Sequence, residues 1–585
     1  MELLQKAKMV FRVARAFPGL ALGRVNADLL LDRRAANDPE GLAIAYQDER
    51  VSWSELRGRA DQCARFLASE GVGKGDRVAL MLDNRPEFLV LLHALLRIGA
   101  VGALINTNSS GAPLAHMVRI AEPKKLVFGS EHAEKLPELL KALPDLDAER
   151  DVFVQREAPA DPLHGARCLG EGIANYSRSP LAPMPAEGTG HAAYIYTSGT
   201  TGLPKAAVIS HQRLIAPGLV GGHLLHRVSR GELIYIPLPL YHSNGLMLGW
   251  GSALTSGAGV ALRRKFSARE FFADIRKYDA RSFVYIGELC RYLLQSPVQP
   301  GEAEHHLHAC TGNGMRPDIW EAFQERFGVP IVREIYGATE GTVSLFNLAG
   351  VPGMVGRMPP GSHLVRCDLE TGEVIREEGG RCQPAAEGET GLLLGRITSL
   401  MRFDGYLDKK ASEGKIIRDV KKKGDAYFNT GDLLCLHPKK RLSFVDRVGD
   451  TFRWKGENVS TNEVAEVVNG AKGVLETNVY GVEVPGCEGR AGMAAIRVEP
   501  GFDVGGLAAH VCKELSHFQR PLFVRLIEGE IEVTATFKHQ KVKARSEGFD
   551  PAAVPDSLYY LSGDGYLPLN AEAFEGIESG AIRPG

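Results

Sequence analysis

The chain has 585 residues, which is more than one ordinary domain needs and enough for two or three. With 44% hydrophobic and 24% charged residues and no low-complexity tract, its composition is that of a soluble globular protein with a large core. The formal net charge of −2, with no basic stripe interleaved with aromatic residues, gives no case for a nucleic-acid partner.

The first segment, Met1–Leu20, mixes basic residues with leucine, valine and phenylalanine. Because it lacks an uninterrupted apolar core, we read it as neither a cleaved signal peptide nor a spanning helix. A basic amphipathic surface helix fits the pattern, and such a helix can lie on anionic lipid at the inner face of a membrane. A helix packed on the body of the protein fits equally well, so both placements stay open.

The next part of the chain alternates helices and strands. Ser52-Trp-Ser-Glu55 predicts a capping box. The helix that follows it should place five apolar residues on one face: Leu56, Ala60, Cys63, Ala64 and Leu67. A strand at Val78–Leu82, a helix near Pro86–Arg97 and a strand near Val101–Ile105 come next. This β-α-β order predicts a largely parallel sheet that is covered by helices on both faces.

A loop rich in glycine and hydroxyl groups follows the predicted strand Ala192–Tyr196, with the sequence Tyr196-Thr-Ser-Gly-Thr-Thr-Gly-Leu-Pro-Lys205. Such a loop can aim backbone N–H groups and hydroxyls at phosphate oxygens. It is not a Walker A loop, because Gly199 and Gly202 are too close together and Ala206 follows the lysine. The alternative is a surface loop of small residues. The length of the run, ten consecutive residues, favours the phosphate-binding loop over this alternative.

Leu233–Leu262 contains no Asp, Glu, Lys or Arg and is long enough to span a bilayer. Pro237, Pro239 and several glycines interrupt it, however. We therefore predict a buried strand, a loop and a short helix here rather than a transmembrane helix.

The composition changes near Asp404–Asn429, where Lys, Gly and Asp predict surface loops. A smaller α+β unit is predicted to begin at about Gly449 and to end near Arg545, with the remaining tail covering the surface. The predicted domains are therefore residues 1–448, 449–545 and 546–585. The fold class is α/β, with a large N-terminal domain of mostly parallel sheets layered by helices and a small mobile α+β C-terminal domain.

Nine cysteines are scattered from Cys63 to Cys512, and no two form a C-x-x-C pair. This pattern predicts free thiols in a reducing compartment, the cytoplasm, and neither a disulfide framework nor a zinc site.

The loop at Tyr196–Lys205 resembles the phosphate loop of the adenylate-forming superfamily, which includes acyl-CoA synthetases, firefly luciferase and peptide-synthetase adenylation domains. Further signatures of that superfamily occur in the expected order: Pro239-Leu-Tyr-His-Ser-Asn-Gly245, Gly312-Asn-Gly314, Tyr336-Gly-Ala-Thr-Glu340, Thr430-Gly-Asp432 and Asp446-Arg447. Each is weak alone, since a lone Thr-Gly-Asp is usually a turn, but six in order leave little room for chance.

The resemblance implies an ATP site, with CoA as cosubstrate and Mg²⁺ as the metal. The residues it assigns to nucleotide and cosubstrate binding are Thr197, Ser198, Gly199, Thr200, Thr201, Gly202, Lys205, Asn313, Gly314, Tyr336, Gly337, Ala338, Thr339, Asp432, Arg447 and Gly456. It implies that Glu340 ligates magnesium and that Thr339 contacts a phosphate oxygen. Asp432 suits the ribose because a carboxylate can accept two hydrogen bonds.

Lys538 matches the family lysine that reaches the acyl carboxylate and the α-phosphate. The alternative is a surface lysine in a basic run with Lys541 and Lys543. The resemblance counts His242 among the catalytic residues and implies that it shapes the thiol path; proton transfer and a buried structural imidazole are the alternatives. In this superfamily the C-terminal domain rotates between half-reactions, which here implies a hinge at Gly449–Asp450 and a role for the loop Trp454-Lys-Gly456 beside the pantetheine arm.

Longer segments are most similar to the fatty acid transport protein and very-long-chain acyl-CoA synthetase branch, including Asp446–Asn458 and Thr536–Lys541. The chain departs from that branch at Ala535, where glycine is expected, and at His517-Phe518, where tyrosine is common. The resemblance implies ATP-dependent ligation of long- or very-long-chain fatty acids, or similarly bulky acids such as bile acids, to CoA through an acyl-AMP. Two alternatives stay open: a fatty-acid uptake or binding protein with secondary ligase activity, and an enzyme that delivers the acyl group to a carrier protein.

Overall fold

The computed structural model describes residues 26–184, 187–197, 203–369, 371–398, 401–455, 457–487, 489–529, 531 and 541–585. Within these ranges the chain forms two compact units. The first combines the described residues up to Pro352 with Ile397–Ile416, and the second combines Gly353–Arg396 with the described residues from Ile417 to Gly585. The segment predicted as an amphipathic helix, Met1–Leu20, lies outside the described residues.

The first unit contains strands and helices in alternation. Its strands are β1 Leu42–Tyr46, β2 Glu49–Ser52, β3 Arg77–Met81, β4 Val101–Leu104, β5 Lys125–Gly129, β6 Val152–Gln155, β7 Arg167–Cys168, β8 His191–Thr197, β9 Lys205–Ser210, β10 Leu233–Ile236, β11 Gly259–Leu262, β12 Ser282–Ile286, β13 Ala309–Asn313, β14 Val332–Gly337 and β15 Ser344–Asn347. Its α-helices are α1 Ala27–Asn37, α2 Trp53–Ser69, α3 Pro86–Arg97, α4 Gly111–Ala121, α5 Leu136–Ala142, α6 Ala148–Asp151, α7 Leu169–Ile173, α8 His211–Val220, α9 Gly251–Ser256, α10 Phe271–Lys277, α11 Gly287–Gln295, α12 Pro317–Phe327 and α13 Lys409–Glu413. A 3₁₀ turn at Ser130–Lys135 and π-helical segments at Gly221–Leu225 and Asn244–Trp250 complete it.

Two sheets organise these strands. One has the order β7-β6-β5-β3-β4-β8-β9 and is parallel except for the β8–β9 hairpin at its edge. The other has the order β15-β14-β13-β12-β10-β11-β1-β2 and is parallel except for its two edge pairs. The predicted α/β class with mostly parallel sheets is confirmed.

The local elements predicted for the first part of the chain are also present. Helix α2 begins after Ser52, whose hydroxyl accepts the backbone N–H of Glu55 at 3.2 Å, as a capping box requires. The five apolar positions predicted to share one face of this helix are all buried. Helix α3 has the predicted bounds Pro86–Arg97.

The uncharged stretch Leu233–Leu262 forms β10, a loop, a π-helical segment that continues into α9, and β11. Its apolar side chains lie in the core, as predicted. In the described part of the chain, no helix combines the length and apolar character needed to cross a membrane.

Asn84 joins the two sheets at the ends of their parallel strands. It follows β3 in one sheet, and its amide nitrogen donates to the carbonyl oxygens of Leu238 (2.8 Å) and Arg263 (3.0 Å), which follow β10 and β11 in the other. Its amide oxygen accepts the N–H of Leu240 at 2.8 Å. The side chain is 3% exposed, so these bonds replace water for buried backbone groups and fix the loop that begins at Leu238.

Replacing Asn84 with alanine should lower the free energy of unfolding by about 2–4 kcal/mol, because it leaves the buried N–H of Leu240 and the carbonyl of Leu238 without this partner. Urea unfolding monitored by tryptophan fluorescence measures the change. Asn108→Ala, at an exposed asparagine, is the matched control and should shift the transition little. An equal shift for both variants would contradict the bracing role of Asn84.

The second unit is built from β16 Gly356–Arg357, β17 Ser362–Val365, β18 Thr390–Arg396, β19 Ile416–Arg418, β20 Ala426–His437, β21 Arg441–Arg447, β22 Phe452–Trp454, β23 Glu457–Val459, β24 Val474–Glu483, β25 Arg490–Val498, β26 Phe523–Leu526, β27 Ser557–Ser562 and β28 Gly565–Pro568. Its helices are α14 Thr461–Asn469, α15 Val504–Glu514, α16 Lys541–Glu547 and α17 Ala571–Glu578, with a 3₁₀ turn at Pro438–Lys440. One of its sheets has the order β24-β25-β26-β27-β28.

The last part of the chain differs from the expected surface covering. Strand β27 pairs with β26 and supplies buried Leu558, Tyr560 and Leu561 to the hydrophobic core of this sheet. In Ser557–Ser562 the two terminal serines are exposed, and the apolar and aromatic residues between them are buried or half-buried. Residues after Arg545 therefore contribute to the same core as residues 474–526. The boundaries at residues 448 and 545 stay predictions.

Candidate functional site

The predicted phosphate loop connects β8 to β9 in the chain. Thr197, at the end of β8, pairs with Lys205, at the start of β9. Residues 198–202 lie outside the described residues, so Ser198, Gly199, Thr200, Thr201 and Gly202 keep their assignment as predictions. The pairing brings the two described ends of the loop together.

Lys205 and Glu340, two predicted site residues, meet at Tyr406. The Lys205 ammonium lies 5.9 Å from the centroid of the Tyr406 ring, and the Tyr406 hydroxyl donates a hydrogen bond to the Glu340 carboxylate. Burial and the nearby Glu340 charge raise the pKa of Tyr406, so its phenol stays protonated and keeps donating. The structure therefore places a carboxylate at the hydroxyl of Tyr406 and a cation near its ring.

The sequence analysis missed Tyr406 because it read Asp404–Asn429 as surface loops. That reading is wrong for Asp404–Leu407: Val208 donates to the carbonyl of Gly405 (2.9 Å), and Leu407 donates to the carbonyl of Ala206 (3.0 Å). The short segment therefore hydrogen-bonds to β9, and the Tyr406 side chain is buried. The polar composition of Asp404–Asn429 masked its buried aromatic residues, which are Tyr406, Tyr427 and Phe428.

Arg213 is a second residue that the sequence analysis missed. It lies in the first turn of α8, directly after β9, and its guanidinium donates to the carbonyl oxygens of Thr339 (2.5 Å) and Ala338 (2.8 Å). These two carbonyls belong to the residues directly after β14, which ends at Gly337, so they receive no hydrogen bond from a neighbouring strand among the described residues. The predicted nucleotide motif Tyr336–Glu340 is therefore connected to the hairpin that carries the phosphate loop.

The loop that contains His242 contacts two other predicted motifs. The Thr339 hydroxyl donates to Ser243 Oγ at 3.3 Å, and the Asn244 amide donates to Asn313 Oδ1 at 2.6 Å. His242 itself is half-buried, and its ring centroid lies 5.4 Å from that of Tyr241. Burial raises the pKa of Tyr241 to about 12. The structure thus brings together three segments that the sequence placed up to a hundred residues apart.

The turn at Gly312–Gly314 is fixed by close backbone contacts and by a buried acid. Gly314 has φ +79°, which favours glycine, and a Cβ at Gly287 would lie 1.6 Å from the Gly314 carbonyl oxygen. The Glu334 carboxylate accepts the N–H of Met315 at 2.6 Å and the Tyr285 hydroxyl at 3.1 Å. Burial raises the pKa of Glu334 to about 8. Glu334 lies on β14, two residues before Tyr336, and the sequence analysis assigned it no role.

Asp432 and Arg447 face each other in the second unit. They pair across β20 and β21, and Arg447 Nε lies 3.3 Å from Asp432 Oδ1. Asp446, the preceding residue, turns the other way and accepts the N–H and the hydroxyl of Thr461 at 2.7 and 2.8 Å. Of the predicted pair Asp446-Arg447, the arginine therefore lies beside Asp432 while the aspartate anchors α14.

The predicted hinge lies next to two basic side chains of α16. Gly449 has φ +83°, and its carbonyl accepts a hydrogen bond from Arg545 at 3.2 Å. Lys541 donates to the Thr461 hydroxyl at 2.6 Å and lies 3.8 Å from Asp450. Gly456 and Lys538 lie outside the described residues, so their roles stay predictions.

One further cluster among the described residues could hold a cation by its ligand types: Asp83, Glu131 and His132. Asp83 already accepts from His132 at 2.9 Å and pairs with Arg264 at 3.1 Å, and Glu131 pairs with Arg85 at 2.7 Å. Since protein cations balance these carboxylates, the cluster is an ion-pair network beside Asn84 and not a metal centre.

Comparison with known proteins adds independent findings. Residues 31–406 match the AMP-binding enzyme family. The chain is 37% identical to the medium/long-chain-fatty-acid–CoA ligase FadD6 of Mycobacterium tuberculosis, over 98% of this chain and 94% of that protein. It is 39% identical to long-chain fatty acid transport protein 2 of Rattus norvegicus and 40% identical to long-chain fatty acid transport protein 1 of Homo sapiens, over 93% of this chain and 89% and 86% of those proteins.

Solved structures share the fold at low sequence identity. The anthranilate CoA ligase AuaEII in complex with anthranoyl-AMP has a TM-score of 0.77 at 20% identity, over 90% of this chain and 97% of that one. A fatty acyl CoA synthetase of Mycobacterium tuberculosis has a TM-score of 0.62 at 20% identity, over 89% and 98%. At these identities the likeness concerns the fold alone.

Proposed function

The chain belongs to the AMP-binding enzyme family, and from that premise we propose that it ligates long- or very-long-chain fatty acids to CoA through an acyl-adenylate. In the first step the fatty acid and ATP give acyl-AMP and pyrophosphate, and in the second acyl-AMP and CoA give acyl-CoA and AMP. The observation that carries the proposal is that predicted site residues converge: Lys205 and Glu340 meet at Tyr406, while Thr339 and Asn313 contact the Tyr241–Asn244 loop. The 37% identity to a fatty-acid–CoA ligase over 98% of the chain supports the same activity.

The first step brings a carboxylate to the α-phosphate of ATP, so an anion must attack an anion. Catalysis then depends on alignment and on charge neutralisation. In the proposal, Lys205 and the loop before it bind phosphate oxygens, and the Thr339 hydroxyl donates to one of them. Asp432 accepts hydrogen bonds from the ribose hydroxyls, with Arg447 beside it. Lys538 neutralises charge between the acyl carboxylate and the α-phosphate.

Mg²⁺ fits the residues present at Glu340. A half-buried carboxylate beside the Thr339 hydroxyl supplies oxygen ligands, which this ion prefers, and Mg²⁺ is usually bound through one or two carboxylates plus substrate phosphates. Glu340 would hold the ion, which would neutralise charge on the phosphate oxygens. The hydrogen bond from Tyr406 orients the Glu340 carboxylate.

Pyrophosphate exchange tests the activity directly. We expect the protein to exchange labelled pyrophosphate into ATP only when a fatty acid is present, and to form acyl-CoA when CoA is added. Exchange without net acyl-CoA formation, even with CoA in excess, would favour delivery to a carrier protein instead. No fatty-acid-dependent exchange with any chain length would refute the proposal.

The substrate chain length gives a separate prediction. Leu246, Met247, Leu248 and Trp250 form a buried apolar segment directly after the Tyr241–Asn244 loop, which supports an apolar acyl site. Burial of each methylene contributes about 0.8 kcal/mol, so kcat/KM should rise by up to roughly fourfold per added methylene until the site is full. Acyl-CoA formation measured over acids from acetate to very long chains checks this. A maximum with acetate or another very short acid would contradict it.

A second candidate function is fatty-acid uptake with ligation as a secondary activity. The observation in its favour is the 39% and 40% identity to proteins named for long-chain fatty acid transport. Release of AMP with and without fatty acid separates the two functions. A protein that binds fatty acid in stoichiometric amounts but releases no AMP would favour uptake.

A further inference from the structure

Arg213 connects the two sheets of the first unit through the predicted nucleotide site. Its backbone is fixed next to the β8–β9 hairpin, because Ser210 at the end of β9 caps α8 and accepts the Arg213 N–H at 3.3 Å. The Ser210 hydroxyl in turn donates to the Asp404 carboxylate at 2.7 Å. The backbone of Arg213 is therefore held in the first turn of α8 by Ser210, and Ser210 is itself held by Asp404.

The tip of the same side chain is fixed on the other sheet. Strand β14 ends at Gly337, and the next two carbonyl oxygens accept from Arg213 Nη2 and Nε. A guanidinium presents its N–H groups in a rigid planar fork, so two bonds to successive carbonyls fix both the position and the orientation of that backbone. This backbone carries the Thr339 hydroxyl and leads directly to Glu340.

In the described part of the chain, the Arg213 guanidinium bonds to backbone carbonyls and forms no ion pair. Among the residues that the structure describes, no carboxylate oxygen lies within 4.0 Å of its guanidinium. Burial lowers the pKa of Arg213, and the carboxylates of Asp404 and Glu340 act against that lowering from a greater distance. A half-buried cation held by carbonyls still carries a desolvation cost that an apolar side chain in the same space would avoid, so the position of its N–H groups is what distinguishes it.

We propose that Arg213 is a positioning residue for adenylate formation, which fixes the backbone that carries Thr339 and Glu340 relative to Lys205. The inference rests on the proposed function, because it assigns these residues to the triphosphate of ATP. It does not require Arg213 to touch the substrate. Loss of the fork would let the backbone at 338–339 shift while the rest of the site stays assembled.

Three variants and one control test the proposal: R213A, R213Q, R213K and R230A. Arg230 lies in the same part of the chain but is exposed, where it pairs with Asp38. Calorimetry measures the affinity for MgATP without turnover, pyrophosphate exchange measures the first step, and synthetic acyl-AMP with CoA measures the second. Thermal unfolding of each variant reports on the fold.

We expect R213A and R213Q to bind MgATP about tenfold more weakly and to lower the rate of pyrophosphate exchange by about tenfold, with the second step near the wild-type rate. R213K should recover less than half of the loss on a logarithmic scale, because a single ammonium cannot replace a planar fork on two carbonyls. R230A should match the wild type throughout.

Unchanged MgATP affinity in R213A would overturn the proposal. So would an equal loss in both half-reactions together with a lower unfolding temperature in all three variants, because that result describes a brace of the fold and not of the first step. Full recovery by R213K would also overturn it, since charge alone would then suffice. If the wild type shows no fatty-acid-dependent exchange, the proposed function fails, while the MgATP affinities still decide the role of Arg213.

Discussion

Lys538→Ala is expected to lower the rate of acyl-adenylate formation by about 10²–10³-fold, the usual cost of removing one preorganised charge-stabilising group. In the proposed mechanism its ammonium is needed while the acyl carboxylate attacks the α-phosphate. It is not needed when the CoA thiol attacks a finished acyl-AMP, if the C-terminal domain has rotated the lysine away by then. The variant supplied with synthetic acyl-AMP and CoA should therefore make acyl-CoA at near the wild-type rate. Lys538→Arg should not restore the first step, because a planar fork cannot replace a compact charge between two anions.

The neighbouring lysines provide the controls for this experiment. Lys543 is exposed, so Lys543→Ala tests a general loss of basic charge. Lys541 donates to the Thr461 hydroxyl at 2.6 Å and lies near Asp450, so Lys541→Ala tests the packing around the predicted hinge. If Lys541→Ala abolishes pyrophosphate exchange and Lys538→Ala does not, the assignment of the catalytic lysine to Lys538 is wrong.

Asp432→Ala should weaken ATP binding by about 10- to 150-fold, since hydrogen bonds to a charged group contribute roughly 1.5–3 kcal/mol. The Asp432 carboxylate is mostly buried, and it lies beside the Arg447 guanidinium. The variant removes the proposed acceptor for the ribose hydroxyls and leaves Arg447 without this carboxylate. Retention of acyl-AMP should weaken by a similar factor. Isothermal titration calorimetry with ATP and with a non-hydrolysable acyl-AMP analogue measures both effects.

Two variants sharpen the interpretation of this result. Asp432→Asn keeps one acceptor oxygen but no charge, so it should lose less affinity than Asp432→Ala. Asp564→Ala removes a carboxylate that is 90% exposed in the same unit and should leave the affinity unchanged. An ATP affinity that Asp432→Ala does not change would show that the ribose binds elsewhere.

Patterns within one segment were enough to predict much of the fold. The capping box at Ser52, the apolar face of α2 and the bounds of α3 follow from periodicity and helix-end chemistry, which act over a few residues. The interrupted, uncharged stretch 233–262 folds as a strand, a loop and a short helix for the same reason. Its π-helical segment was not predicted, because no spacing rule distinguishes it from an α-helix.

The contacts that assemble the candidate site could not be predicted in this way. Tyr406 and Glu340 lie 66 positions apart, and Arg213 and Thr339 lie 126 positions apart. Each pair joins residues on elements that lie side by side only in the folded first unit, which is a property of the tertiary arrangement and not of either segment. Motif resemblance identified Glu340 and Thr339, but it carried no information about the residues that hold them. The loop at 198–202 and Lys538 stay predictions.

The close approach of Gly287 to Gly314 has a consequence for reading genetic variation in this chain. Any side chain at residue 287 would run into backbone atoms of residues 314 and 315, which have no flexible end that can move aside. Alanine, the mildest change in most tolerance screens, is already too large here. A missense map would therefore score residue 287 among the least tolerant positions. Gly287 is not itself a predicted nucleotide-site residue; it only packs against Gly314, which is one. Intolerance at residue 287 would come from a steric clash between the start of α11 and the turn after β13. Interpreting it as direct ligand contact would misassign the residue.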